Sequence, residues 1–478
     1  MVVLPASGWF GRHDTKEIMK RHRDTAFLGH PTGLGWLSGS EFWERFSYYG
    51  MAGLLVLYMT HQLLNPGHIE HVAGMGLFQS FMAMLYGPGS GQALASHITG
   101  FYQMSVYVTP LVGGYLADRY MGKTGAVTTG ALMMALGHFL MAFDYSFVLA
   151  LVLLLTGVGL FKGNIAAQVG DLYGETDPRR ADGFQIYYIG IQLSVIISPF
   201  ICGTLGETVG WHWGFGAAGV GMLLGLLIYL TGLFRGALPK ERMRDGHVLR
   251  PALTARDKKA VWMLIALMPL LGLSMVGNQE IFNGYLVWAE KNFQIVFFGK
   301  TMPITWMLSL DAGISTVLMV LSVLFWRWYA KVRREPDEIS KMTIGIAIAA
   351  CAPLTLALAS MVVARTGQPV SLFWAFAFHI LNDLGFSNLL PVGLALYSRA
   401  APKGWEAVLI AVYYLQFAMA NYLVGYLAGL LSVMPGPQFW LIHVGLMTVS
   451  AVALLLARKF ARNILAPSYE APTPVAPE

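Results

Sequence analysis

Four side chains that could hold a proton or bind a charged group lie close together near the N terminus. Glu41, Glu44, Arg45 and Tyr48 are spaced three and four residues apart in an otherwise apolar stretch. In a helix this spacing places them on one face. One guanidinium cannot neutralise two carboxylates, so one carboxylate must be protonated or paired with a second cation. A carboxylate whose protonation depends on a competing cation is a proton-coupling device.

Lys162 is the natural second cation. It lies in the glycine-flanked apolar stretch 157–164. An ionisable side chain inside a membrane costs about 2.5 kcal/mol or more and persists only with a partner or in a water-filled cavity. Glu41 and Glu44 are its best acidic partners in the N-terminal half, and with Arg45 these residues are predicted to couple proton binding to another event. The alternative is that they only hold two helices together.

The composition indicates the kind of element that carries these residues. Of 478 residues, 56% are hydrophobic and only 12% are charged, whereas soluble domains average about 25% charged residues. Most of the surface must therefore face lipid, and the net charge of +6 is explained by membrane orientation better than by nucleic acid. The two cysteines, Cys202 and Cys351, allow no zinc spacing. No nucleophile–base pair or metal cluster is found, so we expect no enzyme activity, no metal and no cofactor.

Twelve apolar stretches are long enough to cross a membrane, which takes about 20 residues each. The insert 63–97 between the first two has a short, glycine-broken apolar part and is predicted to form a lateral or interfacial helix. The sequence thus predicts an all-α membrane protein with spans at 37–62, 98–117, 124–142, 147–169, 183–205, 213–235, 260–289, 305–327, 342–364, 371–397, 405–431 and 437–457.

The basic residues predict the orientation of these spans. Of the 32 Lys and Arg residues, 27 fall on the side of the N terminus and 3 on the opposite side. Basic loops stay in the cytoplasm, so both termini are expected there. The most basic loop lies between spans 6 and 7 and divides them into two six-helix bundles, the outline of the major facilitator fold. The predicted organisation is a cytoplasmic segment 1–36, a bundle 37–235 containing the insert 63–97, a basic linker 236–259, a bundle 260–460 and a disordered tail 461–478.

Several motifs give a more specific resemblance. The run Glu41 to Gly50 (EFWERFSYYG) resembles the ExxERF-xYYG helix of the proton-dependent oligopeptide transporters, the POT/PTR peptide transporter family of the major facilitator superfamily. Gly113 to Gly122 (GGYLADRYMG) is similar to the family's signature after span 2, and Lys162 with Asn164 is similar to its span-4 lysine motif. The stretch 184–199 is similar to its span-5 signature.

The resemblance implies proton-driven import of di- and tripeptides by alternating access. Arg45 and Lys162 would face the peptide carboxylate, and fixed cations bind a carboxylate strongly in a partly dehydrated cavity. Glu41 and Glu44 would be the proton-sensitive carboxylates. Further substrate-binding residues implied by the match are Tyr48, Tyr49, Tyr107, Asn164, Gln192, Glu280, Asn283 and Asp383.

The chain departs from the family pattern at three of these positions. Gln192 stands where an asparagine is common, and Glu280 is displaced by one residue, which turns it about 100° around the helix. In span 10, Phe386 aligns with a glutamate that holds the peptide amino terminus in many relatives. Asp383, one turn earlier, is the nearest acid that could substitute. His379 precedes Asp383 by four residues, which would suit a proton relay.

The remaining expectations concern gating, partners and location. Asp118 and Arg119 resemble the cytoplasmic gate loop of the superfamily. The expected partners are a di- or tripeptide, protons and the lipid bilayer, for a monomer in a bacterial inner membrane. Two other functions stay open: a related carrier of nitrate or another small anion, and a membrane sensor that binds peptides without moving them.

Overall fold

The structure is a computed structural model, and it describes residues 24–174, 177–239, 253–402 and 404–465. The tail predicted to be disordered spans 461–478, but the last helix, Gly436–Leu465, includes its first five residues. Residues 466–478 lie outside the described part. Most of the N-terminal segment 1–36 and of the basic linker 236–259 also lie outside it. Within the described residues the chain is almost entirely helical, with one short antiparallel hairpin that pairs Val296 with Thr301.

Twelve long helical segments in the described residues correspond in number and order to the twelve predicted spans. Several are longer than predicted because a helix continues beyond the apolar residues that mark the membrane crossing. Spans 1, 2 and 5 each continue into a π-helical turn, at Met59–Leu63, Ala117–Met121 and Pro199–Gly203. The helices of spans 1 to 12 are Thr32–Tyr58, Gln92–Leu116, Gly122–Leu140, Phe147–Asp171, Arg179–Ser198, Trp211–Phe234, Ala255–Ser274 continued by Val276–Gln279, Glu280–Phe282 and Gly284–Asn292, Trp306–Val332, Glu338–Thr366, Phe373–Ala400, Glu406–Leu430 and Gly436–Leu465.

By length and composition alone, seven helices of the described residues are apolar enough to cross a membrane, and eight if the bent pair in span 7 counts as one. That pair bends by 48° between Ala255–Ser274 and Val276–Phe282. Spans 1, 2, 3 and 10 fall short of this test. Span 1 contains the charged residues 41, 44 and 45, and span 10 contains His379 and Asp383. These candidate site residues lower the hydropathy of their own helices.

The insert between spans 1 and 2, predicted to form a lateral helix, contains the helix Met75–Tyr86. One face is exposed, with Leu77 82% and Met84 73% accessible. Phe81 lies on the same face, is 38% accessible and contacts Phe101 of span 2 with ring centroids 5.4 Å apart. The opposite face is buried through Met75, Met82 and Tyr86. A short helix with one apolar face open is suited to lie along the membrane surface.

The chain forms two compact units. Unit 1 comprises residues up to 51 and residues 109–245, and unit 2 comprises residues 52–108 and those from 246 onward. Residues 52–108 belong by sequence to the first six spans, but they pack within unit 2. A Cβ at Gly100 of span 2 would lie 2.3 Å from the Cα of Gly425 in span 11, so these two backbones are in direct contact. Small residues allow helices to approach this closely in membranes.

Within unit 1, glycines bring span 4 against spans 2 and 3. A Cβ at Gly113 would lie 2.0 Å from the carbonyl oxygen of Gly159, and one at Gly130 would lie 2.7 Å from that of Gly157. Such distances leave no room for a side chain. The stretch that carries Lys162 is therefore fixed by backbone contacts on both sides.

Candidate functional site

The charges of span 1 form a buried cluster in unit 1. Arg45 donates to both carboxylate oxygens of Glu44, with Nη2 2.7 Å from Oε1 and Nε bonded to Oε2. The same Nε lies 3.3 Å from Oε1 of Glu41. All three side chains are at most 4% exposed. One guanidinium thus holds Glu44 through two bonds and Glu41 through a single longer contact.

Two residues from other helices complete the cluster. Lys162 of span 4 lies close enough for its charge to act on Glu41, Glu44 and Arg45. Tyr187 of span 5 is buried and its hydroxyl hydrogen-bonds to the carboxylate of Glu41. The structure therefore brings together the four predicted proton-coupling residues. The sequence did not predict a role for Tyr187, although this residue lies inside the stretch 184–199, which is similar to the family's span-5 signature.

Aromatic side chains surround the guanidinium. Its Cζ atom lies 5.0 Å from the ring centroid of Tyr48, a cation–π distance. Tyr48 packs edge-on against Tyr49 with centroids 4.9 Å apart, and Tyr49 interacts with Arg45 through its hydroxyl. These contacts keep the arginine on one side of span 1.

The other polar residues predicted in unit 1 are placed differently. Asn164 is buried and donates to the carbonyl oxygen of Leu160 in its own helix, at 2.7 Å. Gln192 is half-buried on span 5. In the gate loop, Asp118 and Arg119 are exposed in the π turn that ends span 2, and the guanidinium of Arg119 lies 5.9 Å from the ring of Tyr120.

In unit 2, Tyr107 and Asn283 both connect span 2 to the later spans. Tyr107 stacks on Phe417 of span 11 with ring centroids 5.0 Å apart. Asn283 lies where the helix of span 7 is interrupted, and its Nδ2 donates to the carbonyl oxygen of Ser96 at 2.9 Å. Its Oδ1 is buried without a hydrogen-bond donor.

Glu280 is held at the break in span 7. Its Oε1 accepts from the backbone N–H of Gly284 at 3.0 Å, and its Oε2 lies 3.0 Å from Nε2 of His443 in span 12. His443 Nδ1 must carry a proton, because it donates to the carbonyl oxygen of Phe439 at 2.9 Å. Both members of the Glu280–His443 pair are 0% exposed. Sequence reasoning placed an acid here but did not identify its partner, which lies 163 residues away.

Asp383 lies in a second polar cluster of unit 2. Its Oδ1 accepts from Nδ2 of Asn382 at 3.0 Å. One possible metal-ligand atom from each of Asp311, His379 and Asp383 lies within 4.8 Å of the other two. Among the described residues, this is the one group of three or more His, Cys, Asp or Glu side chains that lie so close together. His379 precedes Asp383 by four residues, the spacing that would suit a proton relay. At the position expected to hold the family's glutamate, Phe386 packs against an apolar cluster.

Comparison with known sequences identifies a family. The sequence model of PTR2, the POT family, matches residues 124–250 and 240–441, more than half of the chain. Three relatives are similar over nearly their whole length. They are the uncharacterized transporter YclF of Bacillus subtilis (29% identical; 93% of this chain, 96% of that one), the peptide transporter YePEPT of Yersinia enterocolitica (28%; 84% and 88%) and a di-/tripeptide transporter of Lactococcus lactis subsp. cremoris (29%; 82% and 88%).

Comparison with solved structures identifies the fold. The chain superposes on the crystal structure of a peptide transporter POT in complex with sulfate with a TM-score of 0.79, over 94% of this chain and 99% of that one, at 24% identity. The predicted fold class, twelve helices in the major facilitator fold, is confirmed.

Proposed function

Because the chain belongs to the POT family of the major facilitator superfamily, we propose that it is a proton-coupled symporter that imports di- and tripeptides by alternating access. Two of the relatives are described as transporters of peptides or of di- and tripeptides. The observation that carries the proposal is the cluster in unit 1, in which the buried Glu41, Glu44 and Arg45 lie close to the half-buried Lys162.

The charges of this cluster balance when it is empty. Arg45 and Lys162 contribute two positive charges, and Glu41 and Glu44 contribute two negative charges. A peptide carboxylate that binds the cations would leave one negative charge uncompensated in a buried place, which is strongly unfavourable. Protonation of one glutamate restores neutrality. Entry of a carboxylate and uptake of a proton are therefore coupled by electrostatics, one for one at this cluster.

Glu41 is the glutamate best suited to take this proton. Arg45 holds it by one contact of 3.3 Å, against two bonds to Glu44, so a competing carboxylate displaces it first. Tyr187 hydrogen-bonds to Glu41 and keeps it in place when the arginine contact is lost. Release of peptide and proton on the other side restores the ion pairs.

We propose that the other predicted residues line the peptide path within their own units. Aromatic rings accept varied side chains, and their hydroxyls provide polar contacts. In unit 1 these residues are Tyr48, Tyr49, Asn164 and Gln192, and in unit 2 they are Tyr107, Glu280, Asn283 and Asp383. Asp118 and Arg119 act in gating.

The distribution of Lys and Arg supports an orientation with both termini in the cytoplasm, and we place the protein in a bacterial inner membrane. All three relatives come from bacteria. The transporter acts as a monomer in this proposal, with lipid around all twelve helices and a six-helix organisation of residues 37–235 and 260–460.

One observation favours a second candidate, a carrier that recognises a carboxylate or another small anion alone. Asp383, the acid nearest to the expected amino-terminus position, is 1% exposed and lies beside Asp311 and His379. An acid held in this way is poorly placed to meet a peptide amino group.

Competition distinguishes the two functions. Uptake of labelled dialanine into proteoliposomes is measured with unlabelled dialanine or N-acetyl-dialanine as competitor. If the carrier recognises the amino terminus, N-acetyl-dialanine should inhibit uptake at least about tenfold more weakly than dialanine. The acetylated form cannot pair with the carboxylate of the protein that binds the amino group, and leaving that carboxylate buried and unpaired costs more than about 1.4 kcal/mol. Equal inhibition would support the anion carrier and contradict recognition of the amino group.

A further inference from the structure

The cluster around Asp383 contains side chains from three spans of unit 2. Asp311 comes from span 8, His379 and Asp383 come from span 10, and Tyr285 comes from the last helix of span 7. His379 and Tyr285 are fully buried and Asp383 is 1% exposed, while Asp311 retains 17%. Ionisable side chains this deep in a membrane protein are commonly functional.

The imidazole of His379 is bonded at both nitrogens. Nδ1 lies 2.8 Å from Oδ1 of Asp311, and Nε2 lies 2.9 Å from the hydroxyl of Tyr285. Because a carboxylate oxygen accepts and does not donate, the bond to Asp311 requires a proton between the two groups. A metal ion could bind His379 only after one of these bonds is broken, so the geometry favours protons over a metal.

Asp383 has an unused acceptor aimed into the same cluster. Its Oδ1 accepts from Asn382, but its Oδ2 is buried with no hydrogen-bond donor. A carboxylate oxygen of Asp311 lies within 4.8 Å. Two ionised carboxylates this close repel each other, and one proton held by the pair removes the repulsion.

The neighbouring elements provide no cation that would remove the need for this proton. In the described residues, no lysine or arginine forms an ion pair with Asp311 or Asp383. Span 9 packs closely on span 10, and its Cys351 is exposed. In span 11, Tyr413 donates to carbonyl oxygens of span 10 and Tyr422 to that of Leu85. The ionisable groups facing the carboxylates are therefore His379 and, through it, Tyr285.

We propose that Asp311 and Asp383 share a bound proton and that, together with His379 and Tyr285, they form a second proton-binding site, located in unit 2. Its consequence for transport rests on the proposed symport function: a transporter with this site moves one more proton per peptide than the cluster of unit 1 alone requires. Proton holding itself can be tested without transport.

The direct test is infrared spectroscopy of the purified protein with Asp383→Asn, an isosteric change that cannot hold this proton. The difference spectrum, wild type minus variant, is expected to show the C=O band of a protonated carboxylic acid, shifted in D₂O. The matched control is Asp171→Asn, whose carboxylate pairs with Lys123 at 2.5 Å near the end of span 4. Its difference spectrum should show only the bands of an ionised carboxylate.

Asp311→Asn provides a second variant should Asp383→Asn fail to fold. Loss of the same acid band in either variant supports the proposal. An unchanged band in a correctly folded variant would overturn it. Tight binding of Zn²⁺ to the wild-type protein that is abolished by Asp383→Asn would also overturn it, because the site would then be a metal site.

Transport provides an independent readout. Asp311→Asn should retain exchange of dialanine across the membrane, while the accumulation ratio under a gradient of one pH unit falls about tenfold, the value of one coupled proton. An unchanged ratio would contradict a role in coupling. If wild-type liposomes accumulate no dipeptide, the proposed function fails, and the infrared result still decides whether the proton is held.

Discussion

Arg45 is the residue on which the proposed coupling depends, because both glutamates of span 1 compete for its guanidinium. The spacing of Glu41, Glu44 and Arg45 was sufficient to predict this competition, since residues three and four apart share a helix face. The contribution of Tyr187 could not be predicted in the same way. It depends on how span 5 approaches span 1, and one tyrosine among many in an apolar sequence carries no signal of its own.

Arg45 makes two bonds to Glu44 but only one longer contact to Glu41, and this difference leads to a prediction for Glu41→Gln. Without this carboxylate the empty cluster carries one extra positive charge, so a peptide carboxylate can bind without a proton. We expect dialanine counterflow in liposomes to persist, whereas accumulation driven by a gradient of one pH unit falls about tenfold through the loss of one coupled proton.

The control for Glu41→Gln is Glu335→Gln, which changes a half-exposed carboxylate paired with Lys341 outside the cluster. It should leave both activities unchanged. Normal pH-driven accumulation in Glu41→Gln would show that Glu41 does not carry the coupled proton.

At the scale of helices, close contact between backbones positions Lys162. Span 2 meets span 4 at Gly113 and Gly159 with no space for a methyl group. The GGYLADRYMG motif was identified from the sequence, but which of its two leading glycines is at the contact depends on the rotation of the helix. The sequence also predicted a helix within the insert and the number of spans. It placed several helix ends too early or too late, because hydropathy marks the membrane crossing and not the end of the helix.

The adjacent glycines of span 2 allow a matched comparison. In Gly113→Ala the new Cβ would collide with the carbonyl oxygen of Gly159, and we expect destabilisation of roughly 1–3 kcal/mol. In Gly114→Ala the Cβ meets nothing within 4 Å, and we expect no loss, since alanine favours the helix by about 1 kcal/mol.

Thermal unfolding of both purified variants in detergent measures this difference. A lower Tm for Gly113→Ala alone is the expected result. Equal Tm values for the two variants would show that spans 2 and 4 do not rely on this contact.

At the scale of the whole molecule, sequence order and spatial packing differ. Apolar stretches predicted twelve spans and the most basic loop divided them into two sets of six; the described residues form twelve long helical segments. Residues 52–108 belong by sequence to the first set but pack in unit 2, through contacts such as Gly100 with Gly425 and Asn283 with Ser96. Such contacts join residues 187 or more positions apart, and local sequence patterns carry no information about them.

The buried pairs of unit 2 were beyond prediction for the same reason. Glu280 with His443 and Asp311 with His379 each join two helices that are distant in sequence. Each residue alone is an ordinary polar group in an apolar helix. Only their distances show that these side chains pair across unit 2, whereas the cluster of unit 1 was predicted from local spacing.

The central claim is that peptide entry is driven by protons, and accumulation of labelled dialanine by wild-type proteoliposomes tests it most directly. With the outside made one pH unit more acidic than the inside, each coupled proton should raise the internal concentration about tenfold above the external one. A protonophore should abolish the accumulation. If the label only equilibrates, and neither the pH gradient nor the protonophore changes its final level, the transporter is not driven by protons and the proposed mechanism is contradicted.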